Sequence, residues 1–252
     1  MKKSWLLILF FLFIQSSISY GQEAEKEKVL FVGNSYTYFW NLPQTVEAMA
    51  KEKAIALEAR QSTSGGTHWG HHWRSERELK SREKIESGDF SAVVLQNHSM
   101  SALNRADSMF HFGSLLVALA KSKGADIYLY MTWAREWNPY MQAEIKKQYM
   151  ELGEKLGAKV VPVGPAWERA RQLRPGLPLY DEDQSHPSPL GTYLTACVFF
   201  GTFSGQSPVG LPSRIIAEDS QGEKIYLNIQ SAENALFCQK VAEEILGEYR
   251  NK

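Results

Sequence analysis

Val29-Leu30-Phe31-Val32-Gly33-Asn34-Ser35 is the stretch on which the reading of this chain turns. Four consecutive apolar residues end at a glycine, and a short continuous apolar run reads as a strand covered on both faces. Asn34 and Ser35 then fall at the carboxyl end of that strand. Working outward, Ala92-Val93-Val94-Leu95 and residues 127–131 are further apolar runs, residues 159–163 read as a fifth strand, and Ile55 to Arg60 alternates as an edge or second strand would. Helical periodicity fills the gaps. Asn41 to Lys53 carries a possible cap in Asn41, Pro43 in its first turn, and Leu42, Val46, Met49 and Ala50 on one stripe. Further helices are expected over Ser75 to Ile85 and around Met109, Phe112, Leu116 and Leu119. Others are expected from Asn138-Pro139, from Ser188-Pro189 to about Phe203, and from Ser231 onward. Residues 62–73 and 181–188 read as loops. Strand and helix alternate without a dividing linker, which predicts an α/β protein: one three-layer α/β/α sandwich around about five parallel strands.

Composition agrees with a folded catalyst or binder and excludes other classes. The 252 residues hold 28 Lys+Arg against 28 Asp+Glu, with 44% hydrophobic and 22% charged residues. These fractions are ordinary for a globular chain. The balanced charge argues against a nucleic-acid partner, which a basic excess would accompany. The N-terminus reads as a separate piece. Met1-Lys2-Lys3 is basic, the following ten or so residues are apolar, and Ser16 to Gly21 is small and polar. That is the pattern of a cleaved secretory signal over residues 1–21, too short for a comfortable membrane span. The expectation is therefore an exported protein, periplasmic or extracellular, with residues 22–252 as its single domain. Loss of Lys2 and Lys3 leaves it mildly acidic. Cys197 and Cys238 lack the spacing of a zinc site. Export permits a bridge between them, and buried free thiols are equally in keeping with their apolar contexts.

In an open parallel sheet, ligands gather beyond the carboxyl ends of the strands. There the sequence places Gly33-Asn34-Ser35, then Ser64-Gly65-Gly66-Thr67, then Gln96-Asn97-His98-Ser99, and finally Asp183-Gln184-Ser185-His186-Pro187. This set suits acyl transfer. A serine hydroxyl is a weak nucleophile until a base takes its proton. Histidine does so near neutral pH, and a carboxylate orients the ring and stabilises the imidazolium. The spacing of three lets Asp183 and His186 share one side of a turn.

These four blocks, in this order, resemble the SGNH or GDSL-type serine hydrolases. Asp183-x-x-His186-Pro187 ahead of a helix is the most specific part, and the likeness spans nearly the whole chain after residue 21. The resemblance implies a flavodoxin-like sandwich that hydrolyses esters without metal or cofactor. It implies Ser35 as nucleophile, His186 as base and Asp183 as its partner. The implied oxyanion hole is the Ser35 N–H, the N–H of Gly65 (or Gly66) and the Asn97 side-chain amide. Two positions depart from the pattern. Asn34 stands where the family usually has Asp, and His98 where it usually has another Asp. The chain lacks Gly-x-Ser-x-Gly, so the α/β-hydrolase elbow is disfavoured.

Other residues carry weaker signals. His68, His71 and His72 invite a metal reading, but no carboxylate or cysteine completes the set. Asn34, His68, Trp69, His98 and Trp133 are expected near the pocket as substrate contacts. The pairs Trp69/Trp73 and Trp133/Trp137 fit either helix packing or a flat platform for sugar rings. Asn97-His98-Ser99 is formally a glycosylation sequon, rejected because Asn97 ends a buried strand. The expected activity is removal of acetyl or other small acyl groups from a carbohydrate. A lipolytic esterase or thioesterase, and a catalytically silent sugar-binding protein on the same fold, are the alternatives. The expected partner is a small-molecule or polysaccharide ester.

Overall fold

A computed structural model describes residues 27–250. The signal segment over residues 1–21 lies outside them. Five parallel strands form the sheet: β1 (Glu27–Gly33), β2 (Leu57–Thr63), β3 (Ala92–Leu95), β4 (Asp126–Tyr130) and β5 (Lys159–Val161). Their order is β2-β1-β3-β4-β5, the flavodoxin-like winding. The chain leaves β1 in one direction and β3 in the other, so a crevice opens where β1 and β3 end. Ser35 and Asn97 both sit just past those ends.

Helices cover both faces. Val29 and Phe31 point into one core, which α2 (Leu42–Glu52), α8 (Val163–Leu173), α9 (Pro189–Ser204) and α10 (Ala232–Tyr249) close. Leu30 and Val32 point into the other, closed by α3 (Trp69–Trp73), α4 (Ser81–Ser87), α6 (Ala106–Ser122) and α7 (Met141–Leu156). Burial on both faces explains why β1 and β3 are unbroken apolar runs. Each such side chain removed from water stabilises the fold by roughly 1.5–3 kcal/mol. α9 is apolar on all sides, and residues 190–201 are buried without interruption. Ser188 caps it, its Oγ accepting from the N–H groups of Leu190 and Gly191, each at 3.1 Å.

Several elements differ from the sequence expectation. Residues 69–73, read as loop, form α3, capped by a histidine. His68 Nδ1 accepts from the Gly70 N–H at 3.1 Å while His71 Nδ1 accepts from the His68 N–H at 3.2 Å. That reciprocal arrangement is ordinarily made by Ser and Glu. The helix expected from Ser75 begins only at Ser81. Ser75, Arg77 and Glu78 hold positive φ of 54°, 55° and 60°, which no right-handed helix tolerates. A short α5 (Ser101–Asn104) precedes α6, β5 ends at Val161 rather than 163, and α8 starts at Val163 and fills the unassigned stretch before the Asp183 loop. An antiparallel hairpin, β6 (Arg214–Glu218) and β7 (Lys224–Ile229), stands apart from the main sheet. Cys197 and Cys238 are both free and buried. Burial pushes both thiols up, Cys238 to about 12.

Candidate active site

The loop that carries Ser35 is built from β1 outward. Ser35 opens a four-residue helix, α1 (Ser35–Tyr38), directly after the strand. Asn34 caps that helix, its Oδ1 accepting from the Tyr36 N–H at 3.1 Å. Its Nδ2 donates to the Thr67 carbonyl at 2.9 Å, and its backbone N–H donates to Gln96 Oε1 at 2.7 Å. One residue thus ties the ends of β1, β2 and β3 together. The departure from the usual Asp has a physical use, because a carboxylate has no donor for the Thr67 carbonyl. Gly33 is required by close approach. A Cβ there would lie 2.3 Å from Thr37 Oγ1 and 2.5 Å from Gln96 Oε1.

His186 Nε2 lies 2.8 Å from Ser35 Oγ. On the far side of the ring, Nδ1 is paired with Asp183 Oδ2. Asp183 Oδ1 accepts from the backbone N–H groups of Ser185, at 3.0 Å, and His186, at 2.8 Å. Partial burial pushes the Asp183 carboxyl up. The hydrogen bonds from the His186 ring and from these two N–H groups outweigh it and hold the group below its ordinary value. The loop is pinned from several sides. Trp133 Nε1 donates to the Ser185 carbonyl at 3.0 Å, Trp40 Nε1 to the Pro187 carbonyl at 2.8 Å, and the Glu136 N–H to the Gln184 carbonyl at 3.0 Å. The Phe39 ring stacks on His186 with centroids 4.5 Å apart. The Tyr36 hydroxyl meets Ser185 Oγ at 2.6 Å, joining the residue after Ser35 to the residue before His186.

Asn97, 2% exposed, is oriented by its own oxygen. Oδ1 accepts from the N–H groups of His98, at 2.9 Å, and Trp69, at 3.1 Å. The side-chain NH2 is thereby turned the other way, and among the described residues it has no partner. The N–H groups of Ser35, Gly65 and Gly66 likewise have none there. Gly65 faces α1, since a Cβ on it would lie 3.2 Å from the Tyr38 hydroxyl. Its carbonyl accepts from Arg77 Nη1 at 2.8 Å, which fixes the peptide joining it to Gly66. Gly66 has φ +65°, a conformation that favours glycine. Ser35, His186, Asp183, Gly65, Gly66 and Asn97 therefore gather at one edge of the sheet, a serine–histidine–carboxylate chain together with unused donors.

The secondary contacts divide. Asn34 is buried and its amide is spent on the loop, so it presents nothing to a substrate. Trp69 is 1% exposed and packs in the core. Trp133 is 2% exposed and sandwiched between Tyr36, at 4.6 Å, and Trp167, at 3.8 Å. Neither ring offers a face, so the sugar-platform reading of these two is corrected: both are scaffolding. His68 stacks on His71 at 3.7 Å and is held at about 4 by partial burial, then by His71, Arg105 and Arg74. His72 is buried between Thr67 Oγ1 and Ser81 Oγ, at 3.2 and 2.6 Å, and burial pushes it down to about 3. The three histidines thus serve capping and packing. Among the described residues, no three His, Cys, Asp or Glu side chains are grouped to hold a metal. His98 is half-buried beside Asn97, lowered by that burial and by Arg135 and Arg105.

Sequence reasoning missed Tyr36, Phe39, Gln96, Ser185 and Arg135. Tyr36 and Phe39 follow Ser35 closely, and Gln96 and Ser185 flank Asn97 and His186, so proximity in sequence was the available signal. Arg135 had none, because the loop after β4 carries no residue of the four blocks.

No family model and no curated protein matches the sequence. Solved structures do. A DUF4886 family protein from Bacteroides uniformis superposes with TM-score 0.73 at 17% identity, over 90% of this chain and 97% of its own. A putative SGNH hydrolase from Slackia heliotrinireducens gives TM-score 0.61 at 20% identity, over 71% of this chain and 99% of its own. A variant of an acetyl-xylooligosaccharide esterase from Geobacillus gives 0.55 at 15%, over 69% and 92%. The chain has the SGNH-type fold.

Proposed function

We propose that this chain is an exported serine esterase that removes acetyl or similar small acyl groups from a carbohydrate. The observation that carries the reading is the chain from Ser35 Oγ to His186 Nε2 at 2.8 Å and on to Asp183. His186 takes the Ser35 proton as Oγ attacks the ester carbonyl. The carbonyl oxygen becomes an oxyanion and meets the Ser35 and Gly65 N–H groups and the Asn97 amide. Donors of this sort act on charge that exists only at the transition state, each worth ~100- to 1000-fold in kcat. The imidazolium, stabilised by Asp183, returns the proton to the leaving alkoxide. Water then repeats the sequence on the acyl-serine, with His186 again as base, and frees the acid and Ser35.

A carbohydrate alcohol is supported by the likeness to an acetyl-xylooligosaccharide esterase and by the polar residues around Asn97. Export is supported by the pattern over residues 1–21, and no helix among the described residues is long and apolar enough to cross a membrane. A panel of p-nitrophenyl esters of graded acyl length, run beside acetylated oligosaccharides, tests the proposal. Activity falling beyond short acyl groups is expected. A maximum at long chains points instead to a lipolytic enzyme. No turnover of any ester, with retained sugar binding, points to a silent binding protein.

A further inference from the structure

Near Asn97 the loop after β4 supplies a positive charge that the proposed chemistry does not use. Arg135 lies in the loop after β4, half-buried, between two parts of the site. Its Nη2 donates to Ser99 Oγ at 2.9 Å, two residues past Asn97, and the next residue's N–H holds the Gln184 carbonyl at 3.0 Å, two residues before His186. A guanidinium has five N–H donors in a rigid fork. Here one nitrogen is used, by a neutral hydroxyl. Among the described residues, Arg135 forms no ion pair with a carboxylate. The neighbouring Arg74 differs: Glu76 neutralises it at 2.6 Å, and Glu76 also faces His71 at 3.5 Å.

The free arms of the Arg135 fork match the two oxygens of a carboxylate or sulfate. Its place matters as well. A group bound at Arg135 lies between Ser99, two residues past Asn97, and the Gln184 turn, two residues before His186.

Building on the esterase reading, we propose that Arg135 binds an anionic group on the alcohol part of the substrate, so that the preferred ester sits on an acidic or sulfated sugar. Arg135 is a specificity residue; the bond-making steps do not pass through it.

The test is a matched pair. Acetylated oligogalacturonate and its fully methyl-esterified form differ in charge and little else, and an acetylated sulfated oligosaccharide supplies the second anion. The wild-type chain is expected to favour an anionic member by roughly tenfold or more in kcat/KM, the scale of a charge-assisted hydrogen bond. Raised salt is expected to shrink that ratio. Arg135→Gln is expected to collapse it toward one, and Arg135→Lys to restore part of it. Which anion gains more identifies carboxylate or sulfate. Equal rates on charged and neutral members, or an Arg135→Gln variant that slows both equally, overturns the proposal and leaves Arg135 a brace for Ser99. If no ester is turned over, the esterase reading fails, and calorimetry with de-acetylated oligogalacturonate decides the anion site alone. Binding weakened at least severalfold by Arg135→Gln supports the site, and binding that is absent or unchanged by the substitution removes it.

Discussion

Ser35 Oγ and His186 Nε2 lie 2.8 Å apart although 151 residues separate them in the chain. The fold accounts for the meeting: Ser35 is placed by the end of β1, and His186 by a loop pinned from Trp40, Trp133 and Glu136. Ser35→Ala and His186→Ala are each expected to reduce kcat by several orders of magnitude, on the order of 10⁴-fold or more, because residues acting as a unit fail together. The double variant is expected to lose little beyond either single one. Additive losses in steady-state kinetics would show that the two do not act on one proton.

The second prediction separates the acceptor and donor ends of Asn97. Asn97→Asp keeps an oxygen for the Trp69 and His98 N–H groups but loses the NH2. The fold is expected to persist by circular dichroism while kcat falls ~100- to 1000-fold and KM changes little. Asn97→Ala is expected to cost stability also, about 1–3 kcal/mol for the buried N–H groups left unpaired. A change confined to KM would make Asn97 a substrate-binding residue.

The third concerns the loop that holds Ser35. Asn34→Asp removes the donor to the Thr67 carbonyl and sets a carboxylate against it. Denaturant unfolding is expected to show a loss of about 1–3 kcal/mol. Gly33→Ala places a methyl against Thr37 Oγ1 and Gln96 Oε1 and is expected to cost about 1–3 kcal/mol through overpacking. Equal stability to wild type in either case would contradict the packing described.

The fourth is a pH dependence. Asp183 has a folded pKa below its unfolded one, so its contribution to stability is present above the unfolded value and is lost as pH falls through the folded value. Across the weakly acidic range Asp183 therefore remains charged, and its carboxylate adds no protonation step of its own to the acid side of the kcat/KM profile. A slope of one in log kcat/KM against pH is expected. Asp183→Asn is expected to retain the fold and lose on the order of 10⁴-fold in kcat, as removal of the orienting carboxylate does in a triad. A slope of two on the acid side would contradict the assignment.

Much of this architecture was legible in the residues, and the failures have physical reasons. The runs at 29–32 and 92–95 announced doubly covered strands, because burial on both faces removes the polar alternation. The Asp183-x-x-His186 spacing announced a local pair, because three residues are enough to bring those side chains together in a turn. α3 was missed because its cap is a histidine, and α8 because Gly164-Pro165 at its start reads as a break, although Val163, Ala166, Trp167 and Ala170 form a regular stripe. Proline is tolerated in a first turn, where its missing N–H has no partner to lose. The tryptophans misled for another reason. Periodicity tells which side chains share a helix face, but not whether a core or a crevice lies against it. Trp133 proved to be the filling of a three-ring stack. Arg135 could not be found from spacing at all, since only the sheet order brings the loop after β4 to Ser99.

The central claim is that Ser35 is a nucleophile activated by His186. The most direct measurement is labelling of the full chain with a fluorophosphonate, followed by mass spectrometry of the modified peptide. The expected result is one adduct per chain, on Ser35, absent in Ser35→Ala and strongly slowed in His186→Ala. An unlabelled wild-type chain, or an adduct on any other residue that survives Ser35→Ala, would contradict it.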